Sequence, residues 1–277
     1  MAGSLYIVSL PIGNMEDITL RAIKTLRAVD FIIAEDTRNT RRILDRYRIT
    51  TPFRRSYYQG VERERVDSLL SLLEEEKDLA LVSDAGTPLI SDPGYPLVRA
   101  AIKAGGVVIP IPGPTAAITA LVSSGLATDH FAFDGAIPRK EGERHAYFER
   151  VRSERRTIIV HESPHRLLPT LETIAEVLPD RTIVLARELT KVHEEFLRGS
   201  PGEILEILRA RGEIKGECVL LIAGNREPSL PHDHEAAKRL VVLLKEEGIS
   251  KKVAVKILIE ALDLPRNEAY RLVHPSP

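Results

Sequence analysis

Cysteine, aromatic residues and long apolar runs are all scarce in this 277-residue chain, and each scarcity removes a class of protein. The one cysteine, Cys218, has no partner for an internal disulfide, which excludes a disulfide-stapled scaffold and fits a reducing, cytoplasmic setting. Aromatics make up 5% of residues, and no base-stacking motif of the RNA-recognition type occurs. No apolar stretch approaches the roughly 20 residues that span a bilayer, so no contact with a membrane is expected. The opening segment MAGSLYIVSLPIGN lacks a basic start, and Pro11 and Gly13 end its apolar run, so no secretory leader is expected. An excess of charge is missing too. Lys and Arg number 39 against 40 Asp and Glu, a net charge of −1, which argues against a generic polyanion binder. What remains, 43% hydrophobic and 29% charged, is the composition of a soluble globular chain with room for one large or two medium domains.

The near-neutral total hides an uneven distribution. Residues 36–55 carry Arg38, Arg41, Arg42, Arg46, Arg48, Arg54 and Arg55 against Asp36 and Asp45. Residues 139–156 carry seven basic and four acidic side chains. Such clusters allow local phosphate contact on a neutral protein. Solvated, ion-paired helix faces describe them equally well in a chain that uses Arg over Lys, 28 to 11.

Short apolar runs alternate with segments of helical period. The runs predict strands at 5–10, 31–34, 79–83, 107–111, 131–133, 157–160, 183–186 and 218–223. Helices are predicted at 17–28, 37–47, 61–75, 95–104, 115–124, 143–152, 165–178 and 201–211. The first turns Ile18, Ala22, Ile23 and Leu26 inward, and the third Val66, Leu69, Leu70 and Leu73. Runs apolar on both faces, alternating with helices, mean an α/β architecture with a parallel sheet covered on both sides. PGPT at 112–115 breaks the chain between two strand–helix sets, giving a parallel α/β domain at 1–113 and a second α/β domain at 114–226. NREPSLPH at 225–232 reads as a linker. Three helices then follow at 233–247, 250–262 and 265–273, punctuated by Gly248, Ser250, Asp263 and Pro265. With Leu240, Leu243, Val253, Ile257, Leu258 and Leu272 inward, residues 232–277 form a helix-turn-helix-like appendage. Docking of protein or nucleic acid and simple capping of the fold both suit it.

Loops at the carboxyl ends of parallel strands are where open α/β sheets hold ligands. Ser9-Leu10-Pro11-Ile12-Gly13-Asn14 is the first. GxGxxG, GKS and GKT are absent, so nicotinamide and P-loop readings lose their main support. The second, Ser83-Asp84-Ala85-Gly86-Thr87-Pro88, runs on into Ser91-Asp92-Pro93-Gly94; its backbone can recognise an adenosine or amino-acid group, or it is an elaborate structural turn. The third, Pro112-Gly113-Pro114-Thr115-Ala116-Ala117, opens a helix with small residues that suit either close ligand approach or helix packing.

Among polar groups, Glu35-Asp36-Thr37-Arg38 is either a helix N-cap or a carboxylate base beside a phosphate-holding Arg. His161-Glu162-Ser163-Pro164-His165-Arg166 spaces two His four apart, but Pro164 breaks the face that a zinc pair needs, so no metal site is expected. Arg187-Glu188-Leu189-Thr190-Lys191 places charge after a strand, as a site or as ion pairs with nearby acids. GxSxG is absent, which leaves acyl transfer unsupported.

Taken together, LYIVSLPIGNMEDITLRA, AEDTRNTRRIL, LVSDAGTPLISDPGYPLV, PGPTAAITAL, ESPHRL, LARELTKVHEEF and GECVLLIAG closely resemble one family, the bacterial small-subunit ribosomal RNA cytidine 2′-O-methyltransferases, a branch of the tetrapyrrole methylases. The likeness runs from about Leu5 to Gly224, and the tail resembles that family's appendage. It implies a two-domain, class III α/β methyltransferase that holds S-adenosylmethionine in the cleft between domains, acts on 16S ribosomal RNA or the small subunit, and forms a homodimer. Carried over by motif, the cofactor touches Leu10, Pro11, Asp84, Ala85, Gly86, Thr115 and Ala116, with Glu162, Ser163, Cys218 and Val219 closing the far side. Leu10 stands where the family commonly has Thr, and His161 where it has Tyr.

Methyl transfer to a ribose hydroxyl is an in-line displacement, so oxygen, carbon and sulfur must be aligned. The hydroxyl is a poor nucleophile and gains from a base, for which Asp36, Glu35 and Glu188 are the candidates. Arg38, Arg41, Arg42, Arg187 and Lys191 are the candidate phosphate contacts. A tetrapyrrole C-methylase would instead take up a porphyrinoid and be indifferent to salt. A nucleic-acid-binding regulator would bind duplex through residues 233–277 alone.

Overall fold

Strand β3 (Leu79–Val82) shows why the first half folds as it does. Leu79 and Leu81 face one buried layer and Ala80 and Val82 the other, so period-two alternation places apolar groups on both faces. The computed structural model describes residues 3–54, 62–225, 234–262, 264 and 266–274. Ahead of β3 come β1 (Ser4–Val8), α1 (Leu20–Ala28), β2 (Phe31–Ala34), α2 (Thr37–Arg46) and α3 (Glu62–Glu74). After it come α4 (Tyr95–Lys103), β4 (Val107–Ile111) and α5 (Ala116–Ser124). The four strands form a fully parallel sheet in the order β2-β3-β1-β4. Helices α1 and α2 pack Ala22, Leu26, Ile43 and Leu44 on one face; α3 and α4 pack Leu69, Leu72, Leu73 and Leu97 on the other.

Two local differences from the sequence reading have plain causes. Helix α1 begins at Leu20 because the Thr19 hydroxyl accepts from the Ala22 amide; residues Met15–Asp17 instead make one 3-10 turn capped by Asn14. Strand β4 is not covered on both sides. It pairs with β1 alone, exposes half of Val107, and holds Pro110, which suits an edge.

The second sheet contains β5 (Phe131–Ala136), β6 (Thr157–Glu162), β7 (Ile183–Arg187), β8 (Glu195–Gly199) and β9 (Cys218–Ile222) in the order β5-β6-β9-β7-β8. Helices α6 (Glu141–Arg150), α7 (Pro164–Val177) and α8 (Pro201–Arg211) cover one face, and α5 the other. This sheet, unlike the first, is mixed. Only β5 and β6 run parallel; the β6–β9, β9–β7 and β7–β8 pairs are antiparallel. Strand β8 escaped the sequence reading altogether. It is an edge strand in which Glu195 meets Arg187 and Arg211 while Arg198 donates to the Ser123 and Ser124 carbonyls.

By contacts the chain divides into two compact units, one of residues 1–151 and 156–223, which holds both sheets, and one of residues 152–155 and 224–277. The second contains α9 (His234–Glu246), α10 (Lys251–Leu262) and α11 (Arg266–Val273), packed through Ala237, Ala254, Leu258, Leu264, Ala269 and Val273. Leu243 and Val253, expected inward, are exposed, because small alanines let the helices approach where longer side chains had been assigned. The proposed linker beyond Asn225, the predicted helix starts at Val61, Asp233 and Pro265, and Arg55 and Asp263 lie outside the described residues.

Candidate functional site

The parallel order brings the loops after β1, β3 and β4 to one edge of the first sheet, where they are tied together. Leu10 and Gly86 exchange both backbone hydrogen bonds, at 2.8 and 3.0 Å. The Ser9 and Thr87 hydroxyls lie 2.9 Å apart, and Thr87 donates to the Pro114 carbonyl at 3.1 Å. Gly86 sits at φ +73, a left-handed conformation suited to glycine, and an added Cβ would lie 3.3 Å from Ile12 Cγ2. Because its amide and carbonyl are both committed to Leu10, Gly86 offers a ligand close approach rather than hydrogen bonds.

These loops wall a cavity of about 470 Å³, within the range of small-molecule sites. Ala85, Gly86, Thr115 and Ala116 line it from the first half; Glu162, Ser163, Cys218 and Val219 line it from the ends of β6 and β9. Eight of the eleven expected cofactor contacts thus converge from four distant segments. The other three lie elsewhere. The Leu10 side chain is fully buried in the core, and Pro11 and Asp84 line a neighbouring cavity of about 360 Å³ with Asn39, Arg42 and Lys191. Asp84 fastens its loop to the start of α2, accepting from the Asp36 amide at 2.9 Å and Asn39 Nδ2 at 2.8 Å.

Two helices begin at the larger cavity with uncommitted caps. Thr115 and Ser163 are the N-caps of α5 and α7, and neither side chain bonds its own helix. Their hydroxyls and the positive ends of the two helix dipoles suit an anionic group such as a carboxylate. His161 lines the same space; its Nε2 is buried without a partner, and burial holds its pKa below the usual imidazole value, so the ring is neutral. Glu162 is differently engaged. Its carboxylate accepts from the Ser163 amide (2.7 Å), Thr170 (2.7 Å) and Arg166 (2.9 Å), so it organises the turn. Burial pushes the Cys218 thiol up to about 11, which leaves it protonated and unreactive at neutral pH.

The expected proton acceptors do not line this cavity. Asp36 caps α2 and pairs with Arg38 at 2.7 Å, and that bond holds its carboxyl below the usual range. Glu188 pairs with Lys191 at 2.8 Å and is lowered in turn. Glu35 also falls outside the lining. Among the expected phosphate contacts, Arg38 is exposed, Arg41 lies over the Phe53 ring at 4.9 Å, and Arg42 lines the smaller cavity. Arg187 and Lys191 are held structurally, by Glu195 with the Lys215 carbonyl and by Glu188 with Glu217. Sequence reasoning passed over Asp92 and Arg139, both of which line the larger cavity; Asp92 stood in the quoted SDPG turn, whereas Arg139 was only one of a charge cluster. Among the described residues no cluster of three His, Cys, Asp or Glu is arranged for a metal ion, and no helix is long and apolar enough to cross a membrane.

Two facing α/β halves with strand-end loops around one cleft define a methylase of the tetrapyrrole type. The family model for tetrapyrrole (corrin/porphyrin) methylases matches residues 4–205, and the chain belongs to that family. The solved methyltransferase CobJ shares the fold with a TM-score of 0.61 at 19% identity, covering 80% of this chain and 95% of that one. The likeness is greater to proteins named ribosomal RNA small subunit methyltransferase I. The one from Micromonospora olivasterospora is 44% identical, with 98% of this chain and 87% of that protein covered. The one from Halalkalibacterium halodurans is 42% identical, with 98% and 95% covered.

Proposed function

We propose that this methyltransferase transfers a methyl group from S-adenosylmethionine to the 2′-hydroxyl of a cytidine in small-subunit ribosomal RNA. The observation that carries the reading is the convergence of Gly86, Thr115, Ser163 and Val219 on one cavity from segments far apart in sequence. The lining fits such a donor: uncommitted hydroxyls at two helix starts for a carboxylate, an unpaired His161 Nε2 for a polar edge, and small residues at Ala85, Gly86 and Ala116 for close approach. When bound, the donor supplies an electrophilic methyl carbon on a cationic sulfur. Thr115 and Ser163 orient it from the helix starts, while Val219 and Ile12 keep water from its apolar side. Arg139 is exposed at this cavity and, with Arg41 and Arg42 on α2, supplies cations for the RNA backbone. The helical unit has a cleft of its own, of about 610 Å³, lined by Lys245, Lys251 and Arg271.

Division into lobes at residue 113, with homodimerisation, completes the reading; exposed Ile118 and Val122 on α5 and Val192 supply apolar surface for a second copy. Labelled S-adenosylmethionine incubated with small subunits or naked 16S RNA should place label on one cytidine ribose. Label on a porphyrinoid and none on RNA would favour the C-methylase alternative.

A further inference from the structure

Among the described residues three carboxylates line the larger cavity, and two are already engaged. Glu162 is held by Ser163, Thr170 and Arg166, and Glu217 lies 3.2 Å from Lys191 Nζ with its side chain largely in solvent. Asp92 is the third. It is half-buried, and among the described residues no cation pairs with it. We propose that Asp92 is the catalytic base, the group that takes the proton of the ribose 2′-hydroxyl during methyl transfer. This rests on the function proposed above.

The turn that carries Asp92 is held in an unusual shape. Leu89 and Ser91 both sit at φ +71, left-handed for residues with a Cβ, and Gly94 at φ +140 lets the chain close on Leu81 and Leu89. Strain of this kind persists where the surroundings impose it, and here it fixes a carboxylate in the cavity wall. The charges acting on Asp92 are Glu35 and Asp84, both negative, with Ser83 as hydrogen-bond partner; Arg139, His161, Arg166, Glu162 and Glu217 line the same cavity. Burial first, and then Glu35, pushes the carboxyl up to about 6, so it is ionised at neutral pH yet more basic than Asp36 or Glu188, which their cations hold low. In the step, Asp92 takes the hydroxyl proton while the ribose oxygen bonds to the methyl carbon. The electron pair of the breaking carbon–sulfur bond stays on sulfur, which ends neutral, and Asp92 then releases the proton to water.

Three readouts test this. In the donor-free protein, carbon-13 NMR of the Asp92 carboxyl should show titration near 6; titration below 4.5 would overturn the assignment. In Asp92→Asn, calorimetric affinity for S-adenosylhomocysteine should change less than fivefold while single-turnover methylation falls about 100-fold or more. The wild-type rate should drop tenfold per pH unit below 6, a limb absent from the variant, and Asp92→Glu should restore part of the rate. A wild-type enzyme that methylates RNA beside an Asp92→Asn variant of equal rate and profile refutes the base and leaves the function standing. A wild-type protein that methylates no RNA refutes the function itself.

Discussion

Asp92→Asn should stabilise the protein at alkaline pH while disabling it. In the unfolded chain this carboxyl ionises near 3.8, and in the folded protein near 6. Between those values the folded state keeps a proton that the unfolded state has released. The group's contribution to stability is therefore intact below pH 3.8 and lost as pH rises through 6. A rise of about two pKa units corresponds to about 3 kcal/mol. Asp92 is only half-buried, so solvent screening reduces this to about 1–2 kcal/mol. An asparagine keeps the shape and never ionises, which removes the penalty at pH 8 and changes little at pH 4. With roughly 2–4 °C per kcal/mol for a unit of this size, the variant should melt about 2–8 °C above wild type at pH 8. Scanning calorimetry across pH 4 to 8 measures it. A difference that is negative at pH 8, or the same at every pH, would refute the reasoning.

Other substitutions probe the cavity and the basic face. Gly86→Ala forces a Cβ onto a φ of +73 and toward Ile12 at 3.3 Å, which costs about 1–2 kcal/mol and should weaken S-adenosylhomocysteine binding at least tenfold; unchanged calorimetric affinity would remove Gly86 from the cavity wall. Glu162→Gln leaves Arg166 without its counter-charge beside a carboxylate site that is 1% exposed, so urea unfolding should report a loss of about 3 kcal/mol, and a loss below 1 would show that the turn does not depend on the pair. Arg41→Glu with Arg42→Glu should weaken RNA binding and flatten its salt dependence while donor affinity holds; wild-type RNA affinity would make α2 a solvated face.

Much of the architecture is readable from local pattern. Continuous apolar runs such as LALV at 79–82 mark strands buried on both sides, and a cap residue such as Asp36 marks a helix start. Strand direction is not written in a run: β7 and β9 pair antiparallel although each is as apolar as a parallel strand. Strand β8 was hidden because its stabilising contacts are ion pairs and carbonyl bonds to residues 16 and 74 positions away. At the site, Ala85, Gly86, Thr115 and Ser163, which the family resemblance implies as cofactor contacts, do line one cavity, because each stands in a short motif at the end of a strand. The bonds that remove Asp36 and Asp84 from the larger cavity, and the neighbours that set the basicity of Asp92, arise only when β2 and β3 lie side by side.

The central claim is that the cavity between the strand ends of the two sheets is the donor site. A crystal structure of the protein grown with S-adenosylhomocysteine tests it most directly. The account predicts the ligand against Gly86, Thr115, Ser163 and Val219, with its carboxylate at a helix start. A ligand lodged instead beside Asn39, Arg42 and Lys191 would contradict it.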